Sequence, residues 1–391
     1  MTPEEQLKII KNNTIDFISD EEFIEKLKEK KQLRVKFGAD PSRPDLHLGH
    51  AVVMKKLRDF QKLGHKIVLI IGDFTARIGD PTGKSKTRPM LSKEEVFENA
   101  KTYEEQVFKI LDPKMTEIRF NGEWLDKMNF EDVIRLAAKY TVARMLERDD
   151  FNKRYKENQS ISVAEFLYPL AQGHDSVAIE ADVELGGSDQ LFNFLVARKL
   201  QEEAGMKPQV VVTLPLLEGT DGHNKMSKSL DNYIAFTDEP KDMFGKVMSI
   251  PDTLIIKYMK LLTDLNYKEY EKEMNDGVNP RDIKMILGKE IVKMFYNEEK
   301  ANYAEQEFIN VFRKKDLPDE IPELETLKEI NIVELVFKTK FGSKSEIKRL
   351  IKQGGIKLNN EKITDFTTTL TLSDGDILKV GKRKFFKIKI C

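Results

Sequence analysis

Two buried strands joined by a helix constrain the fold of this chain more than any other feature. The stretch LRVKFGAD (33–40) has the pattern of a strand that runs into a loop, and HKIVLIIGD has a continuous apolar run. Between them Val53, Leu57 and Phe60 recur at helical spacing, and Gly64 is suited to end that helix. Continuous apolar strands are typical of a parallel sheet covered on both faces, so the segment predicts a βαβ unit.

The same alternation returns later in the chain. AEFLYPLAQGHDSVAI has a helical pattern, ADVELGGSDQ predicts a short strand, and PQVVVTLPLL predicts a further buried strand. The helix LFNFLVARKLQEEAG lies between these two strands, with Ser188 or Asp189 as its expected cap and Gly205 as its end. The repetition predicts an α/β fold with a doubly wound parallel sheet, which is a Rossmann-like architecture.

The remaining patterns divide the chain into further domains. We expect the Rossmann-like catalytic domain to cover 1–232, with a helical insertion at about 85–165. Residues 233–317 have a helical pattern, and the acidic, proline-containing stretch 318–329 is expected to be a linker. A small α+β module is expected at 330–391, where one helical segment precedes short β-like pieces separated by turns.

Composition narrows the class of protein. No apolar run approaches the roughly 18 residues of a membrane-spanning helix, and the N-terminal stretch lacks the pattern of a signal peptide. Cys391 is the only cysteine, which excludes intrachain disulfides and disfavours a cysteine-based zinc site. These features are those expected of a cytoplasmic enzyme.

The charge is concentrated at one end of the chain. Residues 338–391 contain 14 Lys and Arg against 5 Asp and Glu, a net charge of +9, whereas the whole chain has a net charge of −1. A basic module on an acidic body predicts a polyanionic partner such as RNA. The alternative interpretation is a solvated basic tail without a partner.

Two histidines in HLGH, His47 and His50, follow the first predicted strand. Histidines three apart could begin a metal site, but Gly49 disfavours a helix interior and no cysteine or acidic cluster lies nearby. A helix start beyond the end of a parallel strand is where α/β folds bind phosphate. Gly49 is then expected to let a nucleotide approach the backbone closely.

Two loops contain further candidate residues. The segment GDPTGKS resembles a phosphate-binding P-loop, but three residues instead of four separate Gly79 from Gly83. Asp80 in this turn could stabilise the turn or receive an ammonium group. KMSKS places Lys225 and Lys228 in a loop after a buried strand, where lysines are usually only solvated. The combination of HLGH and KMSKS at the ends of two parallel strands is far more specific than either alone.

On these motifs the chain resembles the class I aminoacyl-tRNA synthetases, and within them the bacterial tyrosyl-tRNA synthetases. HLGH and KMSKS match the two class signatures, and KFGADPSRPDLHLGH, DFTARIGDPTGKSKTR, EFLYPLAQGHDS and ELGGSDQLFN match the tyrosyl-type segments in order. GSKSEIKRLIKQGGIKLNNEKI resembles an S4-type RNA-binding domain. The resemblance covers essentially the whole chain.

The resemblance implies a two-step reaction. Tyrosine and ATP form tyrosyl-adenylate and pyrophosphate, and the tyrosyl group is then transferred to the 3′-terminal adenosine of tRNA(Tyr). His47, His50, Lys225 and Lys228 are the implied catalytic residues, acting on the phosphates by charge stabilisation, and Mg²⁺ is expected to accompany ATP without a protein metal site. The implied nucleotide-side residues are Gly38, Asp40, His47, Gly49, His50, Lys84, Arg88, Gly187, Asp189, Lys225, Met226 and Lys228.

The same resemblance implies the tyrosine-binding residues. Tyr168, Gln172 and Asp80 correspond to positions that hold the α-ammonium group, Asp175 to the acceptor of the phenol hydroxyl, and Gln190 to a residue near the carboxylate. Positions 168, 172 and 175 fall on one helix face, although such a trio could also be ordinary satisfied polar residues.

One position departs from the family pattern. Many relatives have a tyrosine as the second partner of the phenol hydroxyl, where this chain has Lys36. An enzyme of this kind rejects phenylalanine because a buried polar group that pairs with the tyrosine hydroxyl would be left without a partner; tyrosyl-tRNA synthetase is a standard example. Here Asp175 is expected to be that polar group.

The resemblance also implies partners. It implies a homodimer formed largely through the insertion, and tRNA bound by 233–315 together with the basic module. Alternatives at this stage are a nucleotidylyltransferase, an RNA-binding protein on an inactive synthetase body, and tryptophanyl specificity. The expected phosphate contacts in the basic module are Lys344, Lys348, Arg349 and Lys352.

Overall fold

The chain divides into two units, Met1–Glu305 and Gln306–Cys391. The structure is a computed structural model that describes residues 1–41, 44–81, 91–315, 321–359, 361–381 and 384–391; at 311–315 it describes the backbone only. Two candidate residues, Lys84 and Arg88, therefore lie outside the described residues.

A six-stranded sheet forms the centre of the first unit. Its strand order is β1-β6-β5-β2-β3-β4, and every neighbouring pair is parallel except β1 with β6. The central strands are apolar because helices cover both faces, and β6 is buried along its whole length. The strands are β1 (Phe17–Ile18), β2 (Arg34–Ala39), β3 (Lys66–Ile71), β4 (Thr116–Phe120), β5 (Val183–Gly187) and β6 (Val210–Leu214).

Helices follow the strands as the apolar patterns predict. Helix α3 directly follows β2 and places Val53, Leu57 and Phe60 in the core, and Gly64 adopts a positive φ of 91° just beyond its end. The helices of this unit, and the one that continues past it, are α1 (Pro3–Ile10), α2 (Asp20–Glu29), α3 (Leu48–Lys62), α4 (Thr75–Ile78), α5 (Lys93–Ala100), α6 (Tyr103–Val107), α7 (Gly122–Leu125), α8 (Phe130–Ala137), α9 (Val142–Met145), α10 (Asp149–Lys156), α11 (Val163–Ala178), α12 (Leu191–Glu203), α13 (Pro240–Ser249), α14 (Ile255–Leu262), α15 (Tyr267–Asn275), α16 (Pro280–Phe295) and α17 (Glu298–Lys315).

The structure differs from the sequence expectations in two local features. The segment expected to be a helical insertion contributes β4, which pairs with β3 and extends the main sheet. The predicted cap of α12 is wrong: Ser188–Gln190 forms a 3₁₀ turn, and Gln190 precedes the helix without a side-chain capping bond. Short amphipathic strands and polar turns carry weak local signals, so neither feature was evident from periodicity.

Helices α14 and α16 pack within the first unit through buried aromatic and backbone contacts. Phe236 stacks on Phe295 with ring centroids 4.4 Å apart, and the Tyr258 hydroxyl donates to the backbone carbonyl of Glu218 at 2.6 Å. These contacts tie α14 and α16 to the loop that follows β6.

The second unit is a small α+β fold around one apolar core. Its main sheet has the order β10-β9-β12-β13-β7, and β8 pairs with β11. Strand β7 pairs in parallel with β13, so part of the segment expected to be a linker at 318–329 belongs to the sheet of this unit. Its elements are β7 (Glu323–Thr326), β8 (Glu329–Asn331), α18 (Ile332–Lys338), α19 (Lys344–Lys352), β9 (Ile356–Leu358), β10 (Glu361–Ile363), β11 (Thr369–Thr371), β12 (Ile377–Val380) and β13 (Lys384–Ile390).

The predicted fold class is confirmed: a doubly wound parallel-sheet domain, further α-helices and a small α+β domain. Among the described residues, no helix is both long enough and apolar enough to cross a bilayer.

Candidate active site

A cavity of about 640 Å³ opens at the carboxyl ends of the parallel strands. The chain proceeds from β2 to β3 and β4 on one side of the sheet, whereas β5 and β6 extend it on the other side. The gap between β2 and β5 is therefore the point where the strand order reverses, which is where such sheets bind ligands. Gly38 and Asp40 at the end of β2, and Gly187 and Asp189 at the end of β5, line the cavity.

The HLGH histidines form the first turn of α3. His47 is the N-cap residue, and its Nδ1 accepts from the Gly49 backbone N–H at 3.2 Å. The Nδ1 atom of His50 accepts in return from the His47 backbone N–H, also at 3.2 Å. Because both Nδ1 atoms accept, the neutral rings carry their proton on Nε2, which leaves Nε2–H groups as donors.

Both imidazoles are held neutral. Burial, together with the charge of Lys228, lowers the pKa of His50 to about 4. Burial followed by the neighbouring His50 also lowers the pKa of His47 well below its usual value. Within the described ranges, no group of three or more His, Cys, Asp or Glu side chains is placed to hold a metal ion, around these rings or elsewhere.

The capping position of the His47 side chain at the start of α3 leaves no room for a side chain at Gly49. A Cβ at this position would lie 2.9 Å from Cε1 and 3.0 Å from Nδ1 of the His47 ring. Any side chain would displace that ring from its capping position. The sequence suggested a close nucleotide approach as the reason for this glycine, and the His47 contact supplies a second reason.

Helix α11 presents Tyr168, Gln172 and Asp175 to the cavity, as the spacing predicts. The Tyr168 hydroxyl donates to Oδ2 of Asp40 at 2.8 Å, and Thr75 Oγ1 donates to Oδ1 of the same carboxylate at 2.7 Å. Burial raises the pKa of Asp40 to about 7, against the lowering effect of these two hydrogen bonds. Asp40, which was expected on the nucleotide side, is thus hydrogen-bonded to the α11 side of the cavity.

Asp175 lines the same cavity and is almost fully buried. It accepts from Trp124 Nε1 at 2.8 Å and from Asn121 Nδ2 at 3.2 Å. Burial raises the pKa of Asp175 to about 7, while Lys36 and these two donors act in the opposite direction. Sequence reasoning missed Asn121 and Trp124, although Trp124 is the only tryptophan in the chain.

A chain of amides connects Asp80 to the same helix. Gln190 Nε2 donates to Asp80 Oδ2 at 2.9 Å. Asn193 donates both to Gln190 Oε1 at 2.9 Å and to Gln172 Oε1 at 3.0 Å. The buried Arg148 lies 3.9 Å from Asp80 and contacts Asn193 at 3.4 Å, so a residue of the insertion adds positive charge beside this carboxylate.

The KMSKS loop closes the opposite side of the cavity. Lys225 Nζ lies 2.8 Å from Asp189 Oδ2, and Met226 is buried within the loop. Lys228 begins a 3₁₀ turn close enough to depress the pKa of His50. The loop is braced by Asn232, which accepts from the Ser227 backbone N–H at 2.8 Å. The lysines and the HLGH histidines therefore face one space, as their positions after two parallel strands predict.

In the second unit, the four expected RNA contacts lie on α19 and are exposed. Lys348 and Lys352 both lie over the Phe366 ring, at 5.5 Å and 5.3 Å from its centroid. Lys344 forms an ion pair with Glu334. Together with Arg349, they give one helix face a strongly positive character.

Comparison with known proteins matches both units. The family model for class I tRNA synthetases of the W and Y type matches residues 28–313, and the S4 domain model matches residues 331–374. The tyrosine–tRNA ligase of Thermotoga maritima is 62% identical, over 99% of this chain and 98% of that protein. That of Carboxydothermus hydrogenoformans is 56% identical, over 98% and 97%.

A solved structure shares the fold. The tyrosyl-tRNA synthetase of Archaeoglobus fulgidus, crystallised with L-tyrosine, superposes with a TM-score of 0.65 at 24% identity, covering 78% of this chain and 99% of that one. The family models and the two curated relatives confirm the resemblance drawn from HLGH, KMSKS and the tyrosyl-type segments. By its full-length relatives and both family models, the chain belongs to the tyrosine–tRNA ligases, class I aminoacyl-tRNA synthetases that here carry an S4 domain.

Proposed function

We propose that this tyrosine–tRNA ligase activates its amino acid in the cavity between β2 and β5, with the residue roles given below. The observation that carries the proposal is that HLGH, KMSKS and the α11 trio all line one cavity. A tyrosine carboxylate oxygen attacks the α-phosphorus of ATP, and the bond to the leaving pyrophosphate breaks. A ribose hydroxyl of the 3′-terminal adenosine of tRNA(Tyr) then attacks the acyl carbon of the adenylate, and the bond to the phosphate oxygen breaks with release of AMP.

Tyrosine lies along α11 in this proposal. Its α-ammonium group is held by Asp80, Tyr168 and Gln172, and its phenol hydroxyl donates to Asp175. Gln190 lies at the end of the amide chain and faces the carboxylate. Asp175 provides specificity, because phenylalanine would leave a buried carboxylate without its hydroxyl partner.

ATP occupies the side formed by α3 and the KMSKS loop. The Nε2–H groups of His47 and His50 donate to the phosphates, and neutral rings suit this role since they need no proton exchange. Lys225 and Lys228 stabilise the charge that develops on pyrophosphate. The remaining nucleotide-side assignments are Gly38, Asp40, Gly49, Gly187, Asp189 and Met226 in the cavity lining, with Lys84 and Arg88 outside the described residues.

Mg²⁺ enters with ATP. The described residues contain no group of three or more potential metal ligands, so a protein cage does not fit this cavity. Mg²⁺ bound to nucleotides usually takes most of its ligands from phosphate oxygens and water, and such binding needs few protein ligands.

The S4 domain binds tRNA through its basic helix. Lys344, Lys348, Arg349 and Lys352 are exposed on α19, where they contact phosphates and so position the RNA without reading its sequence. The concentration of positive charge in residues 338–391 supports this assignment.

A homodimer forms through the insertion. Large apolar side chains are exposed there on adjoining segments, and a monomer rarely leaves such a surface to solvent. The exposed apolar residues of this region are Phe130, Ile134, Val142 and Val163. We further propose that the enzyme acts in the cytoplasm, where tRNA charging supplies translation.

Amino-acid-dependent exchange of labelled pyrophosphate into ATP, measured across all twenty amino acids, tests the activation step. Exchange with tyrosine alone is expected. The matched family model also covers tryptophan enzymes, so exchange with tryptophan instead of tyrosine is the main alternative outcome. That outcome, or exchange with no amino acid, contradicts the proposal.

Sedimentation of the wild type and of Phe130→Glu tests the dimer. The variant is expected to sediment as a monomer.

A further inference from the structure

Lys36 occupies the position where the resemblance implies a hydroxyl-binding tyrosine in many relatives, yet it is not among the residues that line the cavity. It is fully buried on β2, and its register partner on the neighbouring strand β5 is Glu184. Its ammonium group lies 2.8 Å from Glu184 Oε1 and donates to Ser176 Oγ at 2.7 Å and to the Gln172 backbone carbonyl at 2.9 Å. The ammonium group is thus held by two hydrogen bonds and one ion pair within the protein.

The partners of Lys36 bracket the tyrosine-binding turn of α11. Gln172 and Ser176 lie on either side of Asp175 in sequence, and both are tied to the same ammonium group. Glu184 closes the network, since its Oε2 accepts from Ser176 at 3.2 Å and from Gln209. A buried ion pair adds little net stability over apolar residues of equal volume, so stability alone does not account for this one.

We propose that the Lys36–Glu184 pair is a positioning element for tyrosine recognition. It fixes the turn of α11 that carries Gln172 and Asp175, and it sets the electrostatic potential at the Asp175 carboxylate. The proposal rests on the proposed function, in which Asp175 accepts the phenol hydroxyl. Lys36 thereby influences the hydroxyl pocket without touching the substrate.

The two members of the pair act on Asp175 with opposite sign. Lys36 favours the ionised carboxylate and lowers the pKa of Asp175, whereas Glu184 raises it. Ionised Asp175 is the form that accepts the hydroxyl. The other groups facing Asp175 or sharing its cavity are Asn121 and Trp124 as hydrogen-bond donors, and Asp40, Asp80 and Tyr168 as titratable neighbours.

The pH dependence of L-tyrosine binding, measured by calorimetry on the full chain, tests the proposal. Lys36→Met is expected to weaken tyrosine binding about fivefold at pH 7, since raising the pKa of Asp175 from about 7 by roughly one unit lowers its ionised fraction from about one half to about one tenth. The midpoint of the pH profile should move upward in this variant. Glu184→Gln should move the same midpoint downward, a reversal that loss of packing would not produce.

A double variant and a matched control complete the test. Lys36→Met/Glu184→Gln removes both charges, leaves no lone buried ion, and is expected to weaken tyrosine binding at every pH. Lys26→Met removes another buried lysine, which lies 3.8 Å from Asp182, and should leave the tyrosine profile unchanged. If Lys36→Met alone does not fold, Glu184→Gln and the double variant carry the comparison.

Two outcomes overturn the proposal. If the double variant binds tyrosine with wild-type affinity and with the wild-type midpoint of the pH profile, the pair has no positioning role. If the double variant does not fold, the pair is needed only for folding. Asp175→Ala separates this result from the proposed function. If Asp175→Ala abolishes tyrosine binding while the double variant does not change it, only the role of the pair is lost.

Discussion

The ammonium group of Lys225 lies 2.8 Å from the carboxylate of Asp189, so the KMSKS loop is tied to the end of β5 across the mouth of the cavity. Both side chains are partly exposed, and such pairs contribute little to stability. The ion pair with Asp189 holds the Lys225 ammonium group beside the cavity. In the proposed function, Lys225 leaves this pair when the phosphates of ATP bind, and a stronger ion pair with pyrophosphate replaces it.

Lys225→Ala should therefore separate catalysis from stability. We expect the rate of tyrosine-dependent pyrophosphate exchange to fall by about 100-fold, the scale seen when one charge-stabilising donor is removed. The free energy of unfolding should change by less than about 1 kcal/mol, as for other exposed ion pairs. Exchange kinetics and urea denaturation measure the two quantities. A large loss of stability with unchanged exchange would assign Lys225 a structural role.

The tyrosine KM should depend on pH through Asp175. The pKa of Asp175 is raised to about 7, chiefly by burial, and the protonated carboxyl cannot accept in the same way from the phenol hydroxyl. As pH falls below about 7, the KM for tyrosine should rise, and it should level off above that value. Because Asp40 titrates in the same range and interacts with Asp175, the profile belongs to the pair. Asp175→Asn should bind tyrosine weakly with a flatter profile; an unchanged profile would assign it to Asp40.

Gly49→Ala should damage the site without replacing any polar group. The added Cβ would lie 2.9 Å from the His47 ring, which must then leave its capping position. Loss of an N-cap costs about 1 kcal/mol, and the rate of adenylate formation should fall with the displaced donor. Thermal unfolding and single-turnover adenylate formation measure these effects. Gly245→Ala is the matched control, because a Cβ there meets nothing within 4 Å.

The sequence patterns predicted well the strands and helices that carry the site residues, because these elements follow from the periodicity of apolar residues. The βαβ unit, the helix start at His47 and the common face of Tyr168, Gln172 and Asp175 all follow from local spacing. The strand β4 was not predicted, since TEIRF alternates over too few residues to be distinguished from its helical surroundings. Asn121 was missed for the same reason, as it follows directly after β4.

Other features depend on contacts between distant segments. Lys36 and Glu184 are 148 positions apart, and only the sheet register brings them together. The tautomers of His47 and His50 follow from backbone N–H groups that the helix start directs at Nδ1, which no residue pattern specifies. Such relationships require the tertiary structure.

His65 should make the fold sensitive to acid. It is fully buried, its Nδ1 accepts from the Leu33 N–H, and its pKa is lowered to about 4, mainly by burial. The unfolded chain binds a proton near pH 6.5, so between about pH 6.5 and 4 it holds more protons than the folded chain. Stability is thus present above pH 6.5 and is lost as pH falls. His65→Gln should reduce this slope by up to about 1.4 kcal/mol per pH unit, measured by urea denaturation at several pH values. An unaltered slope would mean that other buried histidines account for the loss.

Removal of the S4 domain should separate the two chemical steps. Strand β7 pairs with β13, so the deletion must begin before β7, and a chain ending at residue 320 leaves no orphaned strand of the second unit. Tyrosine-dependent pyrophosphate exchange should stay within about twofold of the full chain, since the cavity lies wholly in the first unit. Aminoacylation should fall by at least tenfold through a higher KM for tRNA, because phosphate contacts supply much of RNA affinity.

The full chain with Lys348→Ala and Lys352→Ala is the matched control and should reproduce part of that loss with a weaker salt dependence. Equal losses in exchange and aminoacylation would show that the second unit supports the catalytic fold rather than tRNA binding.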